Sequence, residues 1–67
     1  MVYLWKVTAK QNLANKIASG MWVEIVKSGT NARPNYREIA GAFNDKYKIN
    51  INESSCNETY FDIIQVN

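Results

Sequence analysis

Histidine is absent from this chain of 67 residues, cysteine and proline occur once each, and glycine three times. Without histidine, the commonest zinc ligand and the usual general base near neutral pH are both missing. With Cys56 as the only cysteine, no disulfide can form within the chain, and a lone thiol fits a reducing compartment better than an oxidising one. No apolar run approaches the ~20 residues of a membrane span. The opening Met1-Val2-Tyr3-Leu4-Trp5 ends at Lys6, too short for the 7–15-residue core of a typical signal peptide. Cytoplasm is therefore the expected location. The two glycosylation sequons, at Asn52 and Asn57, have no secretory context.

What is present is an ordinary globular composition, 46% hydrophobic and 21% charged. That excludes a disordered tail and predicts one domain over residues 1–67. A domain of this size buries only about 60% of its unfolded surface. With no disulfide to help, its stability must come from packing or self-association.

From Val2 to Lys10, Tyr3, Trp5, Val7 and Ala9 alternate with Lys6, Thr8 and Lys10, the period of a strand with one buried face. Val2 and Leu4 interrupt the polar side, which predicts a strand end covered on both faces. Residues 11–19 read as a connection that packs Leu13 or Ile17 on the core. Met21 to Lys27 is a second strand, with Met21, Val23 and Ile25 inward and Trp22, Glu24 and Val26 outward. Residues 27–34 are loop, since Ser28-Gly29 and Asn31 favour turns and Pro34 stops a ladder.

Asn35 with Glu38 forms a capping-box pattern. Tyr36, Ile39, Ala40, Phe43 and Tyr47 then recur at helical spacing, while Arg37, Asn44, Asp45 and Lys48 face away. Residues 49–52 return to alternation, 53–57 read as a polar turn, and Thr59 to Val66 as a last strand with Phe61 and Ile63 inward. The expected fold is α+β in β-β-α-β order, a small, mainly antiparallel sheet of three or four strands with one helix packed on it.

Several of these segments taken together resemble short uncharacterised proteins of Bacteroides-type bacteria. They are Lys6-Val7-Thr8-Ala9-Lys10, Ile17 with Gly20-Met21-Trp22-Val23-Glu24-Ile25-Val26, Ile39 with Ala42-Phe43 and Lys46-Tyr47, and Tyr60-Phe61-Asp62-Ile63. The resemblance implies a bacterial, intracellular, compact domain. It carries no assigned activity and so supplies no site residues.

Catalysis finds little support in the residues. Glu38 serves as a cap and Asp45 as a solvated helix residue. Glu24 and Asp62 are the one carboxylate pair that strands could set side by side, and a solvated sheet face beside Lys6 is the commoner outcome. Cys56 lacks a base to activate it. Lys27-Ser28-Gly29-Thr30 lacks the frame of a phosphate loop. No catalytic, metal-binding or cofactor-binding residue is expected, and no cofactor.

Charge is uneven. Residues 1–33 hold five basic side chains against Glu24 alone, and residues 34–67 hold three against five acids, for a net +2. A basic half bearing Trp5 and Trp22 admits nucleic-acid binding through Lys6, Lys10, Lys27 and Arg33 around Trp22. Yet the overall field is weak, with a pI of 8.8 where such domains usually exceed about 9. Protein interaction is the leading expectation. Trp22 shares a strand face with Glu24, and tryptophan dominates interface hot spots, although packing under residues 11–19 would account for it equally. The expected role is a non-catalytic interaction or accessory module, its partner a protein or a second copy. The candidate surface comprises Trp22, Glu24, Lys6, Lys27 and Arg33.

Overall fold

In the computed structural model, which describes residues 2–30 and 32–66, strand β1 (Val2–Ala9) and strand β2 (Trp22–Ser28) pair antiparallel, with Lys6 opposite Glu24. Helix α1 (Tyr36–Tyr47) follows, then two single-turn 3-10 helices (Glu53–Ser55 and Glu58–Tyr60), then strand β3 (Phe61–Gln65). β3 pairs antiparallel with β1, so the sheet order is β2-β1-β3 and the first strand is the middle one. The domain is α+β with three strands. Its order departs from the expected β-β-α-β in the two short helices placed between α1 and β3. Each begins where an asparagine side chain, Asn52 or Asn57, accepts the N–H two residues on, a local turn that competes with a ladder. No strand forms at residues 49–52.

α1 packs on one face of the sheet. Val7, Ala9, Val23, Ile25 and Phe61 from the strands meet Ile39, Ala40 and Phe43 from the helix, and all are buried. Leu13 and Ile17 close one end of this core from the β1–β2 connection. They face each other as a bridge, and the chain reverses between them through Ala14 and Asn15 at φ 50° and 57°. Two left-handed residues in succession make the tight reversal characteristic of hairpins, and the connection packs both Leu13 and Ile17 on the core. Tyr36, expected in the helix's apolar stripe, is instead exposed.

The start of α1 is held by three groups at once. Asn35 Oδ1 accepts the Glu38 N–H at 2.9 Å, and Glu38 Oε1 accepts the Asn35 N–H at 3.0 Å. Lys27 Nζ reaches the same carboxylate at 2.7 and 2.8 Å. The Lys27 hydrogen bond holds the Glu38 carboxyl below its ordinary range, burial opposes it, and the Asn35 N–H and the lysine charge add to the lowering. A carboxylate with a lowered folded-state pKa stabilises the fold above its unfolded value, roughly 4.3, and that contribution disappears as pH falls through the folded value. Glu38→Gln is therefore expected to cost about 1–2 kcal/mol at neutral pH, the low end of the range of about 1.5–3 kcal/mol for hydrogen bonds to a charged group, because the carboxylate is partly open to water. In urea unfolding followed against pH, the gap from wild type should close toward acid. A gap constant at every pH would mean that the ion pair contributes nothing.

Candidate interaction surface

Among the described residues, no helix or loop covers the other face of the sheet. Val2, Leu4, Lys6 and Thr8 of β1 share it with Trp22, Glu24, Val26 and Ser28 of β2. Pairing sets these residues in rows across the sheet. Val26, Leu4 and Val66 make an aliphatic row, since Leu4 pairs with Val26 and its carbonyl accepts the Val66 N–H at 2.8 Å. The next row is Glu24, Lys6 and Ile64, and the third is Trp22, Thr8 and Asp62.

Five of the seven large apolar side chains that stand exposed among the described residues lie here: Val2, Trp22, Val26, Ile64 and Val66. Their exposure runs from 39% at Trp22 to 63% at Val26. The expectation that Val2 and Leu4 are covered on both faces fails for a topological reason. α1 is the only long helix in the described chain, and it docks on the opposite side.

Trp22 sits at one corner, partly exposed, with two ammonium groups against its indole. Lys46 Nζ is 3.2 Å from the ring centroid and Lys6 Nζ 4.9 Å. Cation–π contacts at exposed sites are worth about 0.5–1 kcal/mol each. The Trp22 backbone is tied to the end of α1. Its N–H donates to the Tyr47 hydroxyl at 3.1 Å, and its carbonyl accepts from that hydroxyl and from Lys46 Nζ, both at 2.9 Å. The outer edge of β2 is thus closed at its first residue, where another strand would otherwise add.

Of the residues singled out from sequence, Trp22, Glu24 and Lys6 come together on this face. Lys27 does not, because it follows Val23 and Ile25 in parity and turns toward α1 and Glu38. Arg33 lies exposed in the segment leading into α1, off the sheet. Lys46 was missed, because no local pattern brings a helix residue to a tryptophan 24 positions earlier. The signal for the aliphatic part was present as Val2, Leu4, Val26, Ile64 and Val66, each at a position of outward parity.

Glu24 and Asp62 share the face but sit on its two edge strands, with β1 between them. Two strand spacings across and two residues along the strands separate them, roughly 12 Å, and Asp62 lies 3.9 Å from Lys10. Cys56 is buried in the core, and burial pushes its thiol up from its ordinary value, away from the thiolate a nucleophile needs. No three histidine, cysteine or acidic side chains converge on a metal position among the described residues, and no helix of these residues is long and apolar enough to cross a membrane. A depression of about 360 Å³, open to water, is lined by Tyr36, Glu53, Ser54, Asn57 and Glu58.

The family model for DUF6140, described as a family of unknown function, matches residues 1–63. The chain belongs to the DUF6140 family. Comparison with curated proteins found no match, and comparison with solved structures found none either. The DUF6140 match takes in β1, β2, α1 and the first three residues of β3. Lys6, Trp22, Glu24 and Val26 therefore lie within the DUF6140 span, while Ile64 and Val66 lie just beyond it.

Proposed function

We propose that this DUF6140 chain is a non-catalytic protein-interaction module that works through the open face of its sheet, in the bacterial cytoplasm that its sequence resemblance implies. The observation that carries this reading is the exposed apolar face itself. Monomeric proteins rarely leave contiguous apolar patches larger than a few hundred Å² in water. Here Val26, Leu4 and Val66 form an unbroken row, bordered by Val2 and Ile64. Trp22 adds the residue type that most often anchors an interface.

The charge on the face suits a protein better than a phosphate backbone. Lys6 stands beside an acidic cross-strand neighbour, Glu24, and Lys10 has Asp62 within 3.9 Å, so the face is of mixed sign. Lys46 occupies the indole against which a base would stack.

A photo-crosslinking amino acid at Val26, expressed in the native host, tests the reading. Irradiation should give covalent protein adducts from Val26 and none from Lys48, whose side chain is 83% exposed but lies at the end of α1. Silence at Val26, or equal yield from both positions, would sink the proposal.

A further inference from the structure

Resting on that reading of the open face, we infer that its partner is a second copy of this chain. The two copies pack face to face about a two-fold axis that runs along the strands, between β1 and β2. The argument starts from two charges that do not satisfy each other. Lys6 and Glu24 are direct cross-strand neighbours, yet no ion pair joins them. Lys6 Nζ lies over the Trp22 ring instead, and the Glu24 carboxylate makes no hydrogen bond or ion pair within the described chain. Covering the face with an apolar partner would bury both charges uncompensated, at a cost of several kcal/mol per ion. An acceptable occupant must bring a carboxylate to Lys6 and a cation to Glu24, one strand spacing apart.

This chain carries that complement in its own face, and the register decides which symmetry uses it. A two-fold axis running across the strands sets β1 over β1 and β2 over β2. Lys6 then meets only β1 residues and Glu24 only β2 residues, so neither finds an opposite charge. An axis along β1 itself stacks Lys6 on Lys6. An axis between β1 and β3 sets Lys6 over Ile64. An axis along the strands between β1 and β2 is the one that puts each β1 residue over its own pairing partner in the other copy. Lys6 then meets the second copy's glutamate twice over, and Leu4 meets the second copy's valine of the aliphatic row, also twice. Ile64 and Val66 flank the edge of the other copy's β2. Closed two-fold interfaces are self-complementary in this manner, and sheets stacked face to face lie about 10 Å apart.

Magnitude sets the strength. Two strands rising ~3.4 Å per residue at ~4.8 Å spacing overlap over roughly 25 by 10 Å. That is a few hundred Å² per copy, below the ~800 Å² of a standard interface. The dimer is weak and depends on concentration.

Sedimentation from about 1 μM to about 1 mM, the span over which small interfaces associate, should show a reversible monomer–dimer equilibrium. K6E or E24K alone places like charges opposite each other twice, and should raise the dissociation constant about ten-fold or more. The double variant K6E/E24K restores opposite signs and should return it close to wild type. Because K6E also gives up the Trp22 contact, the unfolding transition of each variant, taken at a concentration where all are monomeric, separates folding from association. A wild-type monomer throughout the range overturns the inference, as does a dimer insensitive to the single reversals or not rescued by the double swap. The mass of the Val26 photo-adduct separates the two readings. Twice the chain mass supports the second copy. An adduct with another protein, alongside a monomeric chain, overturns the second copy and leaves the interaction reading standing. No adduct and no dimer removes both.

Discussion

Phe43→Ala is expected to leave most of the chain unfolded in water at room temperature. Phe43 is fully buried, and its ring lies 5.8 Å from that of Tyr47 and 5.5 Å from that of Phe61. It stands at the centre of the contact between α1 and the sheet, among Val7, Val23, Ile39 and Cys56. Truncating a buried phenylalanine costs about 3–5 kcal/mol, combining lost transfer energy with the cavity left behind. A single core in a domain below ~70–80 residues rarely supplies more than about 3–5 kcal/mol in total. No disulfide offsets the loss here, since Cys56 is the sole cysteine. Circular dichroism and urea titration decide the matter, with Tyr36→Ala as the comparison. Tyr36 is an exposed aromatic on the same helix, and its truncation should shift the midpoint only slightly. A cooperative transition for Phe43→Ala close to that of Tyr36→Ala would show that the helix–sheet contact contributes far less than its burial implies.

Asn44→Ala is the second large effect, and it acts through backbone groups rather than a cavity. The Asn44 side chain is a two-way clamp. Its Oδ1 accepts the Ile51 N–H at 2.7 Å, and its Nδ2 donates to the Ile51 carbonyl at 3.1 Å. Ile51 is buried in a segment that belongs to no ladder, so the backbone has no other partner at hand. Leaving a buried donor or acceptor unmade costs about 1–3 kcal/mol each. Alanine at 44 removes the partners of both, for a loss in the lower half of about 2–6 kcal/mol, since both bonds are only partly buried. Asn44→Asp keeps the acceptor and should cost less. Amide exchange at Ile51 is the direct readout: protected in wild type, intermediate in the aspartate variant and fast in the alanine variant. Unchanged protection in Asn44→Ala would mean that Ile51 is held by packing alone.

Asn44 also shows where a pattern drawn from sequence stops. By helical spacing it faces away from the apolar stripe, and an asparagine inside a helix reads as a weakness. Both statements are locally sound. Its role is visible only when residues 49–52 fold back on α1. The alternation in that segment, which reads as a strand, reflects Ile49 and Ile51 turning into the core while Asn44 meets the backbone need that a neighbouring strand would have met. Lys27 illustrates a different error. Grouping it with Trp22 followed charge, whereas parity along β2 already assigned it to the face of Val23 and Ile25. Its long stem lets a charge on that face reach Glu38 at the rim of the core.

Local chemistry by itself determined a good deal of this protein. Asn35 and Glu38 set the start of α1, because a capping box needs only residues three apart. Period-two alternation set β1 and β2 and sorted their side chains between two faces, placing Trp22 and Glu24 together and Val7 and Val23 opposite them. The same alternation set the inward side of β3 at Phe61. Tertiary structure alone decided the order β2-β1-β3, the side on which the helix docks, and therefore which apolar residues remain in water. Strand order depends on pairing between segments dozens of residues apart, and no local period encodes it. A single helix covers a single face, so the docking of α1 left Val26, Leu4, Val66, Ile64 and Trp22 open and brought Lys46 onto the indole.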